Sequence, residues 1–374
     1  MSLKDIFCQE RAVGDLQRAL GAGRLAHAYI FAGPAGVGKR TTAQAWAKML
    51  LCHRRRVETV SETLKFHDSC GECESCRVFE VGAHPDYHLI EKELRQYTAK
   101  DKGKEAKQDL AISVVREFLI DKVAHRPVMS ECTVYVLREA ERLNASSQNA
   151  LLKVLEEPPK HCYIILLCSR ADRLLPTTQS RCQMVRFGPV DEAHIVAALA
   201  DRGVDGTQAR YWARLSEGSM GEAIRWATLA PKGTTCYEIK RQLVESLAKH
   251  KLEDSLELAA WMGEAASKLT AAWADVESQT SKTDLGRRAV KGLLRMTAAV
   301  FTDVINLHMG RTELINEDQK GPIQTLAGRF DAEQSAEKIA KVYENVRWVE
   351  ASVNEKLIFE ELLLNLAGSA IISA

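Results

Sequence analysis

A glycine-rich turn set between an apolar run and a helix pattern constrains this chain most. His27-Ala28-Tyr29-Ile30-Phe31-Ala32 reads as a buried strand, residues 41–51 read as a helix, and Gly33-Pro34-Ala35-Gly36-Val37-Gly38-Lys39-Arg40 joins them. Strand, glycine loop and helix in that order make the unit that cradles phosphates in parallel α/β sheets. Backbone N–H groups and the positive end of the helix then face the anion. Gly33, Gly36 and Gly38 let the backbone approach a phosphate, and Lys39 is placed to reach its β and γ groups. The last position of G-x-x-x-x-G-K-[ST] should offer a hydroxyl to Mg²⁺, and the chain has Arg40 there. Thr41 comes next, but one helical step turns it about 100° away.

The alternation continues downstream. Further apolar runs at 84–90, 133–137, 163–167 and 184–187 read as strands, and residues 11–24, 111–123 and 146–155 as helices. This order predicts an α/β fold with a mostly parallel five-stranded sheet and helices on both faces. Residues 91–109 carry six basic and five acidic side chains and read as a solvated loop. After Gly188-Pro189 the strands stop. Short helices are expected at 192–202, 208–216 and 221–229, and everything from about 233 reads as helix, with a polar break at 278–283. The chain of 374 residues is long enough for two or three domains, and its 46% apolar content suffices for real cores. The division expected is an α/β domain over 1–188 with a cysteine-rich insertion at 52–76, a small helical domain over 189–232, and an all-α domain over 233–374. No apolar run approaches a membrane span, and charge appears within the first residues, so a cytoplasmic protein is expected and no membrane partner. A net charge of +1 excludes whole-surface attraction to nucleic acid.

A working phosphate-loop site also places an acidic residue at the end of a neighbouring strand, to hold Mg²⁺ through its water shell. The strand at 133–137 ends in Arg138-Glu139-Ala140-Glu141, so the expected aspartate is Arg138. Glu139 stands where working sites polarise the attacking water. Arg40 and Arg138 should converge on one spot, pairing with Glu139 or standing in for a metal against phosphate. Each guanidinium would repel a divalent cation by a few kcal/mol at an effective dielectric of ~20 and about 4 Å. Neither Mg²⁺ nor ATP hydrolysis is expected; binding of ATP or ADP without hydrolysis is left open.

Ten cysteines are present, four of them in one stretch: Cys52, Cys70, Cys73 and Cys76. The two C-x₂-C steps are separated by polar or small residues, which argues against packing as their reason. Four thiolates suffice for a closed tetrahedral Zn²⁺ site, structural because no open position remains. Cys52 is the distant member, and His53 or His67 is the alternative fourth ligand. The six scattered cysteines read as small buried hydrophobes.

These pieces resemble a family. Arg24-Leu25-Ala26-His27-Ala28-Tyr29-Ile30-Phe31 leading into the glycine loop, Asn149-Ala150-Leu151-Leu152-Lys153-Val154-Leu155-Glu156-Glu157-Pro158-Pro159, and Leu174-Leu175-Pro176-Thr177-Thr178-Gln179-Ser180-Arg181-Cys182 are similar to bacterial clamp-loader AAA+ subunits, as is a zinc insertion after the loop helix. His84-Pro85-Asp86-Tyr87 and Ile112-x-x-Val115-Arg116 resemble the family's delta-prime branch. The resemblance implies an AAA+ P-loop domain, a helical lid and a C-terminal collar. It implies that Arg181 acts in trans, as an arginine finger on the γ-phosphate held by a neighbour, a contact worth orders of magnitude in rate. It places Gly221 where motor subunits carry a sensor-2 arginine. By the same resemblance the partners are motor ATPases and a delta-like wrench in a hetero-pentamer, the sliding clamp, and primed DNA through the assembly.

The leading expectation is a non-catalytic stator of a DNA polymerase III clamp loader acting in DNA replication. A gamma/tau-like motor ATPase is the second reading, and a zinc-knuckle nucleic-acid-binding module the third.

Overall fold

Apolar runs with no helical period become strands where a sheet is covered on both faces. The computed structural model describes residues 2–60, 65–103, 109–278 and 280–367. It divides into two units, Met1–Asp191 with Ser219–Gly221, and Glu192–Gly218 with Glu222–Ala374. Among the described residues no helix is long and apolar enough to cross a membrane.

The first unit contains helix α1 (Glu10–Gly21), strand β1 (Ala28–Ala32), α2 (Lys39–Leu51), β2 (Arg56–Thr59), β3 (Lys65–Asp68), α3 (Glu74–Glu80), β4 (Tyr87–Ile90), α4 (Ile112–Val115), β5 (Thr133–Leu137), α5 (Ala145–Glu156), β6 (Cys162–Cys168), α6 (Pro176–Gln179) and β7 (Gln183–Arg186). The expected five-stranded sheet is present, in the order β4-β5-β6-β1-β7, and every pairing is parallel. Tyr29 lies opposite Ile165 on one side and Gln183 on the other. Ala28, Tyr29, Ile30 and Phe31 are fully buried, as a central strand of such a sheet requires. Because the strands run the same way, the loop after β1 and the turn after β5 emerge at the same edge, where ligands of open α/β sheets bind.

Local chemistry sets the ends of these elements. Asn144 caps α5 by accepting the Ser147 N–H at 2.9 Å, and the helix stops ahead of Pro158-Pro159. The helix expected at 111–123 is a single α turn followed by a π turn over Arg116–Ile120. The charged stretch 91–109 is less solvated than its composition suggests. Residues 92–97 form a 3₁₀ helix, and Lys92, Thr98 and Asp101 are buried; residues 104–108 of that stretch lie outside the described residues.

The second unit holds α7 (Glu192–Ala200), α8 (Gly206–Leu215), α9 (Met220–Thr228), α10 (Cys236–Lys249), α11 (Ser255–Val276), α12 (Lys282–His308), α13 (Lys320–Ala327), α14 (Ala332–Glu350) and α15 (Glu355–Leu366), α9 beginning in the segment the first unit claims. Trp212 of α8 stacks on Trp226 of α9 at 6.0 Å, and Trp226 meets Trp273 of α11 edge-on at 4.7 Å. Gly292 of α12 is required beneath that ring, since a Cβ there would lie 2.0 Å from Trp226. Leu293, Leu294, Met296, Val300 and Phe301 of α12 are buried inside this unit, so they form its core and are not a free assembly surface.

Candidate functional site

The glycine loop is shaped by two demands that only glycine meets. A Cβ on Gly33 would lie 2.4 Å from the Phe187 carbonyl oxygen, and Gly38 caps α2 in the left-handed region, at φ 98°. Lys39, the first residue of α2, is buried, and its ammonium donates to the carbonyls of Gly33 and Pro34. Burial pushes this lysine down to about 8, against an upward pull from Glu141. Gly221 touches the same loop: its N–H donates to Gly36 O at 2.9 Å, and a Cβ at 221 would come within 3.2 Å of Gly36 Cα. Position 221 therefore has no room for an arginine stem without a shift.

The two arginines at the positions expected to serve a metal are held differently from the expectation. Arg138 does not pair with Glu139. Its Nη1 donates to Glu91 Oε2 at 2.6 Å. Glu139 adopts φ 50°, a left-handed conformation, and its Oε2 lies 3.0 Å from Arg142 Nε and 4.0 Å from Lys92 Nζ. Arg40 is exposed on the first turn of α2. Both Arg40 and Glu91 act on the Tyr87 hydroxyl, the first favouring its ionisation and the second opposing it, while burial, the largest influence, raises it. Glu91 is thus the group common to both surroundings: it pairs with Arg138 and acts, with Arg40, on Tyr87. Thr41 is half-buried; the neighbouring Thr42 turns its hydroxyl back to Gly38 O at 3.0 Å. Glu91 was invisible to motif reasoning, because its partner lies 47 residues away.

The cysteine cluster assembles with Cys52 as its fourth member. Cys52, Cys70, Cys73 and Cys76 are all buried, and their sulfurs lie within 4.8 Å of one another. Three of its edges are 3.6 Å (Cys52 to Cys70), 3.8 Å (Cys52 to Cys73) and 4.0 Å (Cys70 to Cys76). A tetrahedron with Zn–S arms of about 2.3 Å has edges of about 3.8 Å, so the cage fits such an ion. Backbone N–H groups point at the sulfurs, Cys70 N to Cys52 Sγ and Cys73 N to Cys70 Sγ, both at 3.3 Å. The two histidines lie elsewhere: His53 bonds Met129 O at 3.0 Å, and His67 is on β3, paired through its backbone with Gln17 of α1.

A buried lock ties this module to the sheet. His84 Nε2 lies 3.0 Å from Ser75 Oγ of α3, and both Ser75 and Ser130 donate to Leu51 O, the last carbonyl of α2, at 2.8 Å. Asp86 accepts N–H bonds from Val128, Met129 and Ser130 at 2.6, 2.8 and 2.7 Å. The motif His84-Pro85-Asp86 thus joins three segments, a role its sequence does not announce.

Arg181 lies just beyond α6, half-exposed. Its Nη2 is 2.7 Å from Glu156 Oε1, and its Nη1 donates to Thr177 O at 2.9 Å.

Comparison with known proteins gives this geometry a family. A family model described as "DNA polymerase III, delta subunit" matches residues 8–191, and one described as "DNA polymerase III, delta subunit, C terminal" matches 285–368. DNA polymerase III subunit delta' of Pseudomonas aeruginosa is 37% identical over 162 residues, 43% of each chain. DNA polymerase III subunit tau/gamma of Haemophilus influenzae is 35% identical, over 52% of this chain and 25% of that one. The match thus spans less than half the length of these two relatives. Subunit delta' of Bacillus subtilis is 26% identical over 96% of both chains. With both ends of the chain matched by family models and a delta' relative aligned along nearly its whole length, the chain belongs to the delta-prime subunit family of DNA polymerase III.

Proposed function

We propose that this chain is the stator of a clamp loader: it hydrolyses no ATP itself and supplies Arg181 to the ATP site of an adjacent motor subunit during DNA replication. One observation carries the reading. Arginine stands at both positions that should serve Mg²⁺, Arg40 and Arg138, and one of them is engaged by Glu91, while the Ser180-Arg181-Cys182 finger motif is intact at the surface. With arginine in place of both the loop hydroxyl and the strand-end aspartate, the site lacks the two groups that order Mg²⁺ for in-line phosphoryl transfer, whereas an arginine in trans stabilises the charge that develops there. Partners in this reading are motor ATPases and a wrench subunit in a hetero-pentamer, the sliding clamp, and primed DNA reached through the assembly. The cysteine cage holds Zn²⁺ as a structural ion, and the loop takes ATP or ADP, if either, without turnover.

Reconstitution with motor subunits, clamp and primed DNA tests this. Arg181→Ala should slow DNA-dependent ATP turnover by at least tenfold at the affected site while the assembly still forms. Unchanged turnover sinks the finger. The tau/gamma relative and the retained Lys39 and Glu139 favour a second reading, a motor ATPase that tolerates its arginines. ATP turnover by the isolated chain at motor rates would establish that reading instead.

A further inference from the structure

Arg181 is not free within its own chain. Of its three nitrogens, Nη2 is bound to Glu156 at 2.7 Å, and Nη1 donates to Thr177 O at 2.9 Å and lies 3.5 Å from Ser180 Oγ. Glu156 is the last residue of α5, and Arg181 follows α6. Gln148, buried in α5, fixes the approach of the two segments: its Oε1 accepts the Leu175 N–H at 2.7 Å, and its Nε2 donates to Leu143 O at 2.9 Å. The arginine and the carboxylate are therefore brought together by a buried scaffold, yet the pair itself is open to water, with side chains 35% and 48% exposed.

A carboxylate offers a guanidinium the same kind of anionic oxygen edge that a phosphate offers. Glu156 thus occupies the part of Arg181 that a neighbour's γ-phosphate would need. A pair this exposed is weak, equivalent to at most about fivefold in an equilibrium constant, so a more highly charged phosphate can displace it. We propose that Glu156 is a positioning residue that latches Arg181: it holds the guanidinium until the triphosphate of an adjacent subunit takes its place. This rests on the finger reading above and adds to it the group that the finger must leave. The latch keeps an unpaired guanidinium from wandering at the subunit edge, and it opposes docking only where docking requires a γ-phosphate contact.

The test measures affinity of the full-length chain for a motor subunit of its assembly loaded either with ADP or with a slowly hydrolysed ATP analogue. Glu156→Gln keeps the shape and removes the charge. It should tighten binding to the triphosphate-loaded partner by ~2–5-fold and leave the diphosphate-loaded complex unchanged. Arg181→Ala should abolish the difference between the two nucleotides, and adding Glu156→Gln to Arg181→Ala should then change nothing. If Arg181→Ala abolishes the difference but Glu156→Gln leaves triphosphate affinity unchanged or weaker, the latch is wrong and the finger stands. An equal shift with both nucleotides would mark Glu156 as merely structural and also overturn the latch. If Arg181→Ala preserves the nucleotide difference, the finger reading fails and the latch with it.

Discussion

The phosphate loop and the cysteine cluster lie at opposite ends of α2, and their side chains are in opposite states. At the N-terminal end the groups that should serve a metal are arginines, while the glycines and Lys39 of the motif are present. Past the C-terminal end, all four thiols of a cage are present and packed. The difference follows from what each region needs in order to fold. The loop's glycines serve the fold directly, through the close approach of Gly33 to Phe187 and the left-handed cap at Gly38, and Lys39 satisfies two of the loop's own carbonyls. None of that depends on Mg²⁺. The insertion, by contrast, carries the exposed strand β2, and its four cysteines form a buried cluster of their own. A segment so short needs a metal or comparable staple in place of a core.

The largest effect should come from removing the metal. The purified chain should carry about one Zn²⁺, and chelation should unfold residues 52–76 locally, because binding free energies of such sites, roughly 10 kcal/mol, are also folding free energies. Hydrogen exchange across the insertion checks this; protection that survives complete metal removal would break the contrast between the two sites. Next comes Asp86→Ala, which strands the N–H groups of Val128, Met129 and Ser130. It should cost roughly 3 kcal/mol, read as a lowered denaturation midpoint at unchanged slope.

A smaller effect is expected from rebuilding the other site. Arg40→Thr with Arg138→Asp should create Mg²⁺-dependent nucleotide binding, about tenfold tighter with the metal than without, measured by calorimetry. The new aspartate would face Glu91, so adding Glu91→Gln should strengthen the gain. Equal binding with and without Mg²⁺ would show that more than these ligands is missing, with Gly221 the first suspect. The last effect is the titration of Lys39, spread over a range of pH and bounded by how far its value falls. Its folded value of about 8 lies below the ordinary 10.5, so the folded state sheds this proton first. The group opposes folding fully below about pH 8, and its penalty is relieved as pH rises from about 8 towards 10.5. Against a Lys39→Met reference, stability should climb by up to roughly 3 kcal/mol over that window and run parallel outside it.

Much of the architecture was readable in the chain, for identifiable reasons. Strands such as Thr133–Leu137 are continuous apolar runs because the sheet is buried on both faces. The cysteine cage was readable because three of its members sit at fixed short spacing. The hairpin of β2 and β3 was not, since Arg56-Val57-Glu58-Thr59 is fully exposed and shows no burial period. The partners of the site arginines were also hidden. Glu91 meets Arg138, and Glu156 meets Arg181, only through the folded arrangement of separate elements, and charged surface residues carry no pattern that selects one carboxylate over another.

One helix connects the two regions compared above. Lys39 opens α2, and Cys52 caps it thirteen residues later by donating its N–H to Met49 O at 3.3 Å. At 1.5 Å per residue, α2 sets the cage about 20 Å from the glycine loop. A chromophoric ion such as Co²⁺ seated among the four sulfurs would therefore be an optical reporter fixed to the C-terminal end of α2, reading the geometry of the cage without any label attached to the protein.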